Sequence, residues 1–207
     1  MTARFTTAVL CLGLVLAGAA AAQTTDLMIT EYVEGSGFNK AIEIFNGTED
    51  TINLAGYALA RYSNGSTTAT VIPLTAVDLP VGETWVVTHP SFVDPSVADQ
   101  TSLELNFNGD DAVVLTFGGV AVDRFGRVGE DPGDYWSCAS GTTANHTLRR
   151  LAGVCAGDTA TTSPFDPCIE WTILASDSIG GLGYHLADCG AVPADGTTWS
   201  TLKAAFR

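Results

Sequence analysis

Two glutamates lie in neighbouring N-terminal segments whose alternation of apolar and polar residues predicts β-strands. Glu31 belongs to the first segment and Glu43 to the second. A pair of carboxyl groups in a cleft, one with a raised pKa, is the arrangement that general acid–base catalysis needs. The sequence predicts neither the cleft nor the raised pKa. It therefore favours structural roles, either ion pairs with Lys40 or Arg61 or hydrogen bonds from backbone amides.

The remaining residues give little sign of catalysis. His89, His146 and His185 lie far apart, and no paired-histidine metal motif, nucleophile elbow, phosphate-binding loop or dinucleotide fingerprint is present. The sequence predicts a protein that is not an enzyme. An enzyme whose site is assembled from distant residues is the alternative, because catalytic triads form in that way.

Two acidic loops are candidates for binding a metal ion. Oxygen ligands suit Ca²⁺, which takes about six to eight of them. Neither loop has the spacing of an EF-hand, and a solvated acidic surface is the competing interpretation. Apart from Ca²⁺, no cofactor is predicted. The candidate ligands are Asp110, Asp111, Glu130, Asp131 and Asp134.

Four cysteines in the last third of the chain predict disulfide bonds. They are Cys138, Cys155, Cys168 and Cys189. A zinc site is disfavoured because the chain has no C-x-x-C motif and no adjacent pair of histidines. Four cysteines allow three connectivities, among which sequence cannot choose. The preferred pairing joins Cys138 to Cys155 and Cys168 to Cys189, since each bond then closes a short loop.

Residues 1–22 have the features of a signal peptide. Arg4 precedes an apolar run of about 15 residues, which is short of the roughly 20 that a transmembrane helix needs. Ala20 and Ala22 form an A-x-A site, which predicts cleavage before Gln23. Cys11 lies within the run and has no lipobox in front of it. We expect export to the periplasm or the extracellular space, and no transmembrane segment in the mature chain.

Composition excludes a disordered chain and argues against nucleic-acid binding. Of the 207 residues, 46% are hydrophobic, which is enough apolar surface to offset the entropy lost on folding. The formal net charge is −14. A surface of that sign repels phosphate backbones, so direct contact with nucleic acid is not expected.

Short apolar runs separated by turn residues predict about nine strands in an all-β, antiparallel sandwich. The runs are residues 27–33, 42–45, 57–60, 85–88, 103–107, 112–117, 120–125, 147–151, 169–173 and 182–186. Runs 103–107 and 112–117, separated by Asn108-Gly109, form the hairpin we consider best supported. Asn46-Gly47 and Asn108-Gly109 are expected to supply positive φ, while Gly56 and Gly126 mark either sharp bends or a close approach of the backbone between strands. Trp85, Trp136 and Trp171 are assigned to the core.

The end of the chain predicts one short helix. Residues 190–196 have the composition of a linker, and Trp199, Leu202 and Phe206 then recur at helical spacing. The expected organisation is a signal peptide at 1–22, a sandwich at 23–189 and a linker with an amphipathic helix at 190–207. The helix either packs on the sandwich or acts as a docking or sorting tail.

Seven motifs in order resemble the lamin-tail domain family, in its secreted bacterial form. The first is I-x-E followed by A-x-E-I-x-N, within residues 26–46. The others are N-L-x-G-Y-x-L at 53–59, L-x-x-G-E at 79–83, N-G-D-D-A-V at 108–113, V-D-x-F-G at 122–126, D-P-G at 131–133 and the Glu170-Trp171 pair. The resemblance extends over about residues 26–186 and implies an immunoglobulin-like β-sandwich.

The resemblance implies a binding or structural role, because the family has no catalytic residues to transfer. We expect a secreted, non-catalytic module whose partner is a protein, a glycan or a second copy of the chain, joined through an edge strand. An accessory or targeting component of a secreted nuclease or phosphatase is the alternative. An enzyme with an unrecognised site is the third hypothesis.

Overall fold

The structure is a computed structural model that describes residues 24–189. The predicted signal peptide and its cleavage site at Ala22–Gln23 lie outside these residues. So do the predicted linker and C-terminal helix. No helix in residues 24–189 has the length and apolar character needed to cross a membrane.

Alternating apolar residues form strands throughout residues 24–189, as the sequence predicts. The first half contains β1 (Met28–Glu34), β2 (Lys40–Phe45), β3 (Ile52–Asn53), β4 (Tyr57–Tyr62), β5 (Thr70–Pro73), β6 (Asp78–Leu79), β7 (Thr84–Thr88) and β8 (Gln100–Thr101). The second half contains β9 (Ala112–Phe117), β10 (Val120–Phe125), β11 (Ser137–Cys138), β12 (Gly141–Thr142), β13 (His146–Arg150), the four-residue helix α1 (Pro167–Glu170) and β14 (Trp171–Leu174). A 3-10 turn spans Pro95–Val97.

Two sheets pack face to face as a β-sandwich. One has six strands in the order β14-β13-β1-β2-β7-β8, and the other has four in the order β10-β9-β4-β5. Every pairing in these sheets is antiparallel except that of β7 with β8. The fold class predicted from the sequence is confirmed.

The main core lies between the sheets and is centred on aromatic side chains. Tyr32 stacks on Phe125 with ring centroids 3.8 Å apart and on Phe107 at 4.7 Å. The Tyr32 hydroxyl donates a hydrogen bond to the Asn108 carbonyl at 3.0 Å, which satisfies its polar end. Trp136 and Trp171 are buried as predicted, while Trp85 is only partly buried.

A second apolar cluster covers the opposite face of the six-stranded sheet. Val33, Ala41 and Val86 are fully buried there against Phe92, with Ile179 and Leu182 packed over them. Because side chains alternate between the two faces of a strand, β1, β2 and β7 are buried on both sides. This second buried layer contains the candidate site.

Three local predictions are wrong. Residues 103–107 do not form a strand, although Leu105 and Phe107 are buried in the core; β9 pairs with β4 and β10 instead. The alternation of apolar residues in 103–107 therefore reflects a buried loop and not a strand. Residues 182–186 are also outside any strand.

The third wrong prediction concerns two turns. Neither Gly47 nor Gly109 has positive φ. Each is needed for space, since a Cβ on Gly109 would lie 2.5 Å from the Ala144 Cα and one on Gly47 equally close to Phe45. Gly56 and Gly126 do have the positive φ expected of sharp bends.

Candidate functional site

The two glutamates singled out in the sequence are neighbours in the six-stranded sheet. Glu31 and Glu43 are paired in the register of β1 and β2, and their relative exposures are 0% and 1%. The β1 register shifts between Ile29 and Glu31, as at a β-bulge. A bulge places an extra residue on one strand. Here the hydroxyl group of Thr30, at the register shift in β1, reaches the carboxyl group of Glu43.

Glu31 is held by an arginine on the adjacent strand. Arg149 of β13 is paired with Glu31 in the register, and its Nε donates to Glu31 Oε2 at 2.8 Å. Burial raises the pKa of Glu31, and the guanidinium group opposes that shift. Glu31 in turn raises the pKa of Arg149. The ion pair with Lys40 or Arg61 considered from the sequence is wrong, because Lys40 pairs with Glu34 and Arg61 with Asp111.

Glu43 is held by hydroxyl and amide donors. The Thr30 hydroxyl donates to Oε1 at 2.6 Å and the Gly183 amide to Oε2 at 2.7 Å. The prediction of backbone amide donors is therefore confirmed for this residue. Burial raises the pKa of Glu43 to about 7, the two donors oppose the rise, and the neighbouring Glu31 charge adds to it. A raised pKa was not predicted from the sequence.

The segment that covers this acidic pair is residues 175–189, which we call the strap. It leaves β14 and is fixed near its start by Asp177, whose Oδ1 accepts hydrogen bonds from the Ser36 amide at 2.9 Å and Asn39 Nδ2 at 2.6 Å. At its far end the backbone amide of Asp188 donates a hydrogen bond to the Ala152 carbonyl at 2.7 Å, and Cys189 forms a disulfide with Cys155. The strap is thus attached at both ends to loops of the sandwich.

Glycine allows the strap to approach the acidic pair closely. A Cβ on Gly181 would overlap Arg149 Nη2 and lie 2.5 Å from Glu31 Oε2. Gly183, two residues later, donates its amide to Glu43. Ile179 and Leu182 pack against the apolar cluster beside these contacts. The strap therefore closes over Glu31 and Glu43 through backbone atoms.

A cavity of about 530 Å³ lies between the strap and the edge of the sheet formed by β13 and β14. Its walls are largely apolar, with glycine backbone on the strap side. Of residues 24–189, those that line it include two arginines and one histidine but no aspartate or glutamate. The lining residues are Arg149, Arg150, Leu151, Ala152, Thr172, Leu174 and the strap residues 180–186.

His185 forms part of the cavity wall and is electrically neutral at pH 7. It is only 7% exposed, and its ring packs edge-on against Phe45 with centroids 5.0 Å apart. Burial, together with the charges of Arg150 and Arg149, lowers the pKa of His185 to about 4.

The five candidate Ca²⁺ ligands have different hydrogen-bond and ion-pair partners, although Asp110 lies close enough to Asp111, Asp131 and Asp134 for their charges to act on it. Asp111 accepts from the Asn64 amide at 2.9 Å and pairs with Arg61 at 3.3 Å. Glu130 pairs with Arg127, and Asp131 caps the Gly133 amide. Burial raises the pKa of Asp110, and Asp111, Asp131 and Asp134 add to that shift through their charges. In residues 24–189 the cluster with three convergent ligand atoms is Cys138, Asp166 and Cys168, whose sulfurs are already bonded together.

The four predicted cysteines form two disulfides, but with a different pairing from the one preferred. Cys138 is bonded to Cys168 and Cys155 to Cys189. The preference for neighbour pairing rested on the short loops that such bonds close. The fold instead brings β11 beside α1 and the end of the strap beside the loop after β13. Disulfide formation needs about 5–6 Å between Cα atoms, so these positions decide the pairing.

Sequence reasoning missed an ion pair that joins the two sheets. Asp123 of β10 and Arg150 of β13 are both completely buried, with Oδ1 and Nη2 3.1 Å apart. Asp123 also accepts hydrogen bonds from the amides of Ile29, Arg124 and Asp158 at 2.8–2.9 Å. The V-D-x-F-G motif contained the aspartate, but nothing in the sequence indicated its partner.

The comparison with family models gives one match. The model described as Lamin Tail Domain matches residues 20–129, which is 110 of the 207 residues. The chain belongs to the lamin tail domain family. The immunoglobulin-like sandwich that the resemblance implied is therefore confirmed, and the family suggests a binding or structural module. No curated protein matches the chain significantly.

The match locates the candidate site relative to the lamin tail domain. Glu31, Glu43 and Asp123 lie within residues 20–129. Arg149, Arg150 and the strap lie beyond them, as do both disulfides. The residues that line the cavity therefore lie outside the matched part of the chain. Glu31 and Asp123, the carboxylates paired with Arg149 and Arg150, lie inside the matched part.

Proposed function

We propose that this lamin tail domain protein is exported and acts by binding, without catalysis, through the strap cavity. A pocket with apolar walls and few polar groups is the usual form of a ligand site. The predicted signal peptide and the two disulfides support export, because disulfides persist in oxidising compartments.

One observation carries the non-catalytic part of the proposal: the acidic pair is used to hold the protein together. Glu31 accepts from Arg149, and Glu43 accepts from Thr30 and Gly183. General acid–base catalysis needs a carboxyl group within hydrogen-bond reach of a substrate. These two are almost completely buried beneath the strap, and the described part of the chain places no carboxylate in the cavity lining.

Turnover assays test this part directly. We expect the purified protein to show no rate above a heat-denatured control on phosphodiester, phosphomonoester, glycoside and ester substrates. The same assays on Glu43→Gln and on the exposed control Glu83→Gln complete the test. Turnover that is lost in Glu43→Gln and kept in Glu83→Gln would overturn the proposal.

Export is tested on the protein as its source cell produces it. We expect the mature protein in the culture medium or periplasmic fraction, with Gln23 as its first residue in N-terminal mass spectrometry. An intact N-terminus in the cytoplasmic fraction would contradict export. Stoichiometric recovery with a nuclease or phosphatase would instead favour the accessory role.

A further inference from the structure

We propose that the strap cavity binds an amphiphilic carboxylate, with the anion beside Arg149 and the hydrocarbon chain along the apolar walls. This inference rests on the proposed function, since it names the class of ligand for the same cavity. It goes beyond it by assigning a charge and a polarity to each end of the ligand.

The charge of the cavity wall is opposite to that of the chain as a whole. The sequence contains 23 acidic residues and 9 basic ones, giving a net charge of −14. The cavity lining nevertheless includes two arginines and, among the residues that the structure describes, no aspartate or glutamate. Charge complementarity at an otherwise apolar wall favours a ligand with one negative group.

Arg149 is the cation that is accessible to a ligand. Its side chain is 37% exposed and lines the cavity, while Nε is bound to Glu31. A guanidinium group has five N–H donors, so Nη1 and Nη2 retain donors for a second carboxylate. Arg150 is completely buried and paired with Asp123, and it contributes through its field alone.

His185 lies in the same wall of the cavity as the two arginines. Burial lowers the pKa of its imidazole, and the charges of Arg150 and Arg149 add to that shift. An anion bound near Arg149 would change the field at the His185 ring, which provides a spectroscopic reporter.

The rest of the cavity suits a short hydrocarbon chain. Leu151, Tyr184 and Leu186 are 41%, 67% and 63% exposed, which is unusual for large apolar side chains that lie together. With Leu174 they form apolar walls around about 530 Å³, within the range of about 300–1,000 Å³ typical of small-ligand sites.

Calorimetric titration with octanoate, and with octanol as its uncharged counterpart, tests the proposal. We expect octanoate to bind at least about ten-fold more tightly than octanol, because the carboxylate adds a charge-assisted hydrogen bond. We also expect octanoate to change the NMR chemical shifts of the His185 ring at pH 7, where the ligand is ionised. Equal affinities for the acid and the alcohol would overturn the assignment of the anion.

Matched variants locate the site. Arg149→Gln should weaken octanoate binding about ten-fold, whereas Arg127→Gln, at an arginine of equal side-chain exposure paired with Glu130, should not. Because Arg149→Gln removes the partner of Glu31, Leu186→Glu is the second variant. It adds a repelling carboxylate at an exposed position of the cavity wall, and Leu103→Glu is its control at 69% exposure.

The failures of the two proposals are distinguishable. If octanoate does not bind, or if Leu186→Glu binds it as well as the unmodified protein does, the ligand class is wrong. The absence of turnover would still support a binding module. If turnover depends on Glu43, the proposed function is wrong whatever octanoate does.

Discussion

At the scale of single residues, the acidic pair shows how a motif typical of catalysis can serve structure. Glu43 shares its surroundings with Glu31, and both carboxyl groups are held by donors of the same chain. Burial of two carboxyl groups side by side disfavours the charge on each. Closure of the strap over Glu43 is therefore coupled to the protonation of that residue.

Stability should depend on pH through Glu43. Its pKa is about 7 in the folded protein against an ordinary value of 4.5, so the folded state retains a proton that the unfolded state has lost. The stabilisation is complete below about pH 4.5 and disappears as the pH rises through 7. Urea unfolding should show the difference between the protein and Glu43→Gln falling by up to about 3 kcal/mol over that interval.

The control for this titration is Glu83→Gln, which changes an exposed glutamate. Its difference from the unmodified protein should stay flat over the same pH interval. A difference for Glu43→Gln that also stays flat would show that Glu43 does not titrate near pH 7. Shifted groups that do not interact with Glu43 cancel in this comparison, whereas Glu31, whose charge acts on Glu43, remains part of the measured difference.

The close approach of the strap to Arg149 and Glu31 at Gly181 can be tested by adding one methyl group there. Gly181→Ala would push the strap away from Arg149 and Glu31, which cannot move apart without losing their ion pair. We expect a loss of about 1–3 kcal/mol in the free energy of unfolding. Gly180→Ala is the control, because a Cβ there has no atom within 4 Å. Equal losses in the two variants would contradict the packing described here.

At the scale of elements, the strap acts as a covering layer on the outside of the sandwich. It contains no strand, yet it buries one face of β1, β2 and β7 through Ile179 and Leu182. A segment with so little secondary structure depends on its end attachments and on side-chain packing. The Cys155–Cys189 disulfide is therefore expected to hold the strap in place, and with it one wall of the cavity.

Removing that disulfide should loosen the strap. The double change Cys155→Ser and Cys189→Ser opens a loop with a sequence separation of 34 and should cost about 3–4 kcal/mol. We expect hydrogen exchange by mass spectrometry to accelerate most in residues 177–186. The matched control is Cys138→Ser with Cys168→Ser, a separation of 30, which should destabilise similarly without singling out the strap. Strap exchange that is equal in both variants would count against this role.

At the scale of the whole molecule, one buried ion pair connects the two sheets. Asp123 belongs to the four-stranded sheet and Arg150 to the six-stranded sheet, and the Asp123 carboxylate also binds the Ile29 amide of β1. The Arg150 guanidinium group lies 4.6 Å from the centroid of the Trp171 ring. Such a pair adds little net stability over apolar residues, but removing one partner leaves a buried charge without compensation.

Breaking the pair on one side should destabilise the entire sandwich. Asp123→Asn should lower the free energy of unfolding by about 3–5 kcal/mol, because the buried Arg150 then loses its buried carboxylate partner and is left with the partly exposed Glu170 at 3.6 Å. Glu130→Gln is the control, since Glu130 and its partner Arg127 are 36% and 37% exposed. We expect the control to lose about 1 kcal/mol or less by urea unfolding. Similar losses for both variants would show that burial of the Asp123 pair adds no penalty.

The sequence by itself determined the strands and the fold class. The alternation of apolar and polar residues predicts β9 and β10 at the residues where the structure has them. A strand that buries one face requires this spacing, whichever strands it pairs with. The sequence also determined that Glu31 and Glu43 lie on adjacent strands, since the short loop between them allows a hairpin. The same reasoning failed for residues 103–107, where a loop is buried as deeply as a strand.

Only the tertiary structure decided what the glutamates, cysteines and arginines contact. Arg149 is 118 residues from Glu31, Gly183 is 140 from Glu43 and Cys189 is 34 from Cys155. Local periodicity carries no information on contacts at such separations, because they depend on the order of strands in the sheet and on the path of the strap. The cavity and the raised pKa of Glu43 follow from those contacts, and so neither could be predicted from the sequence.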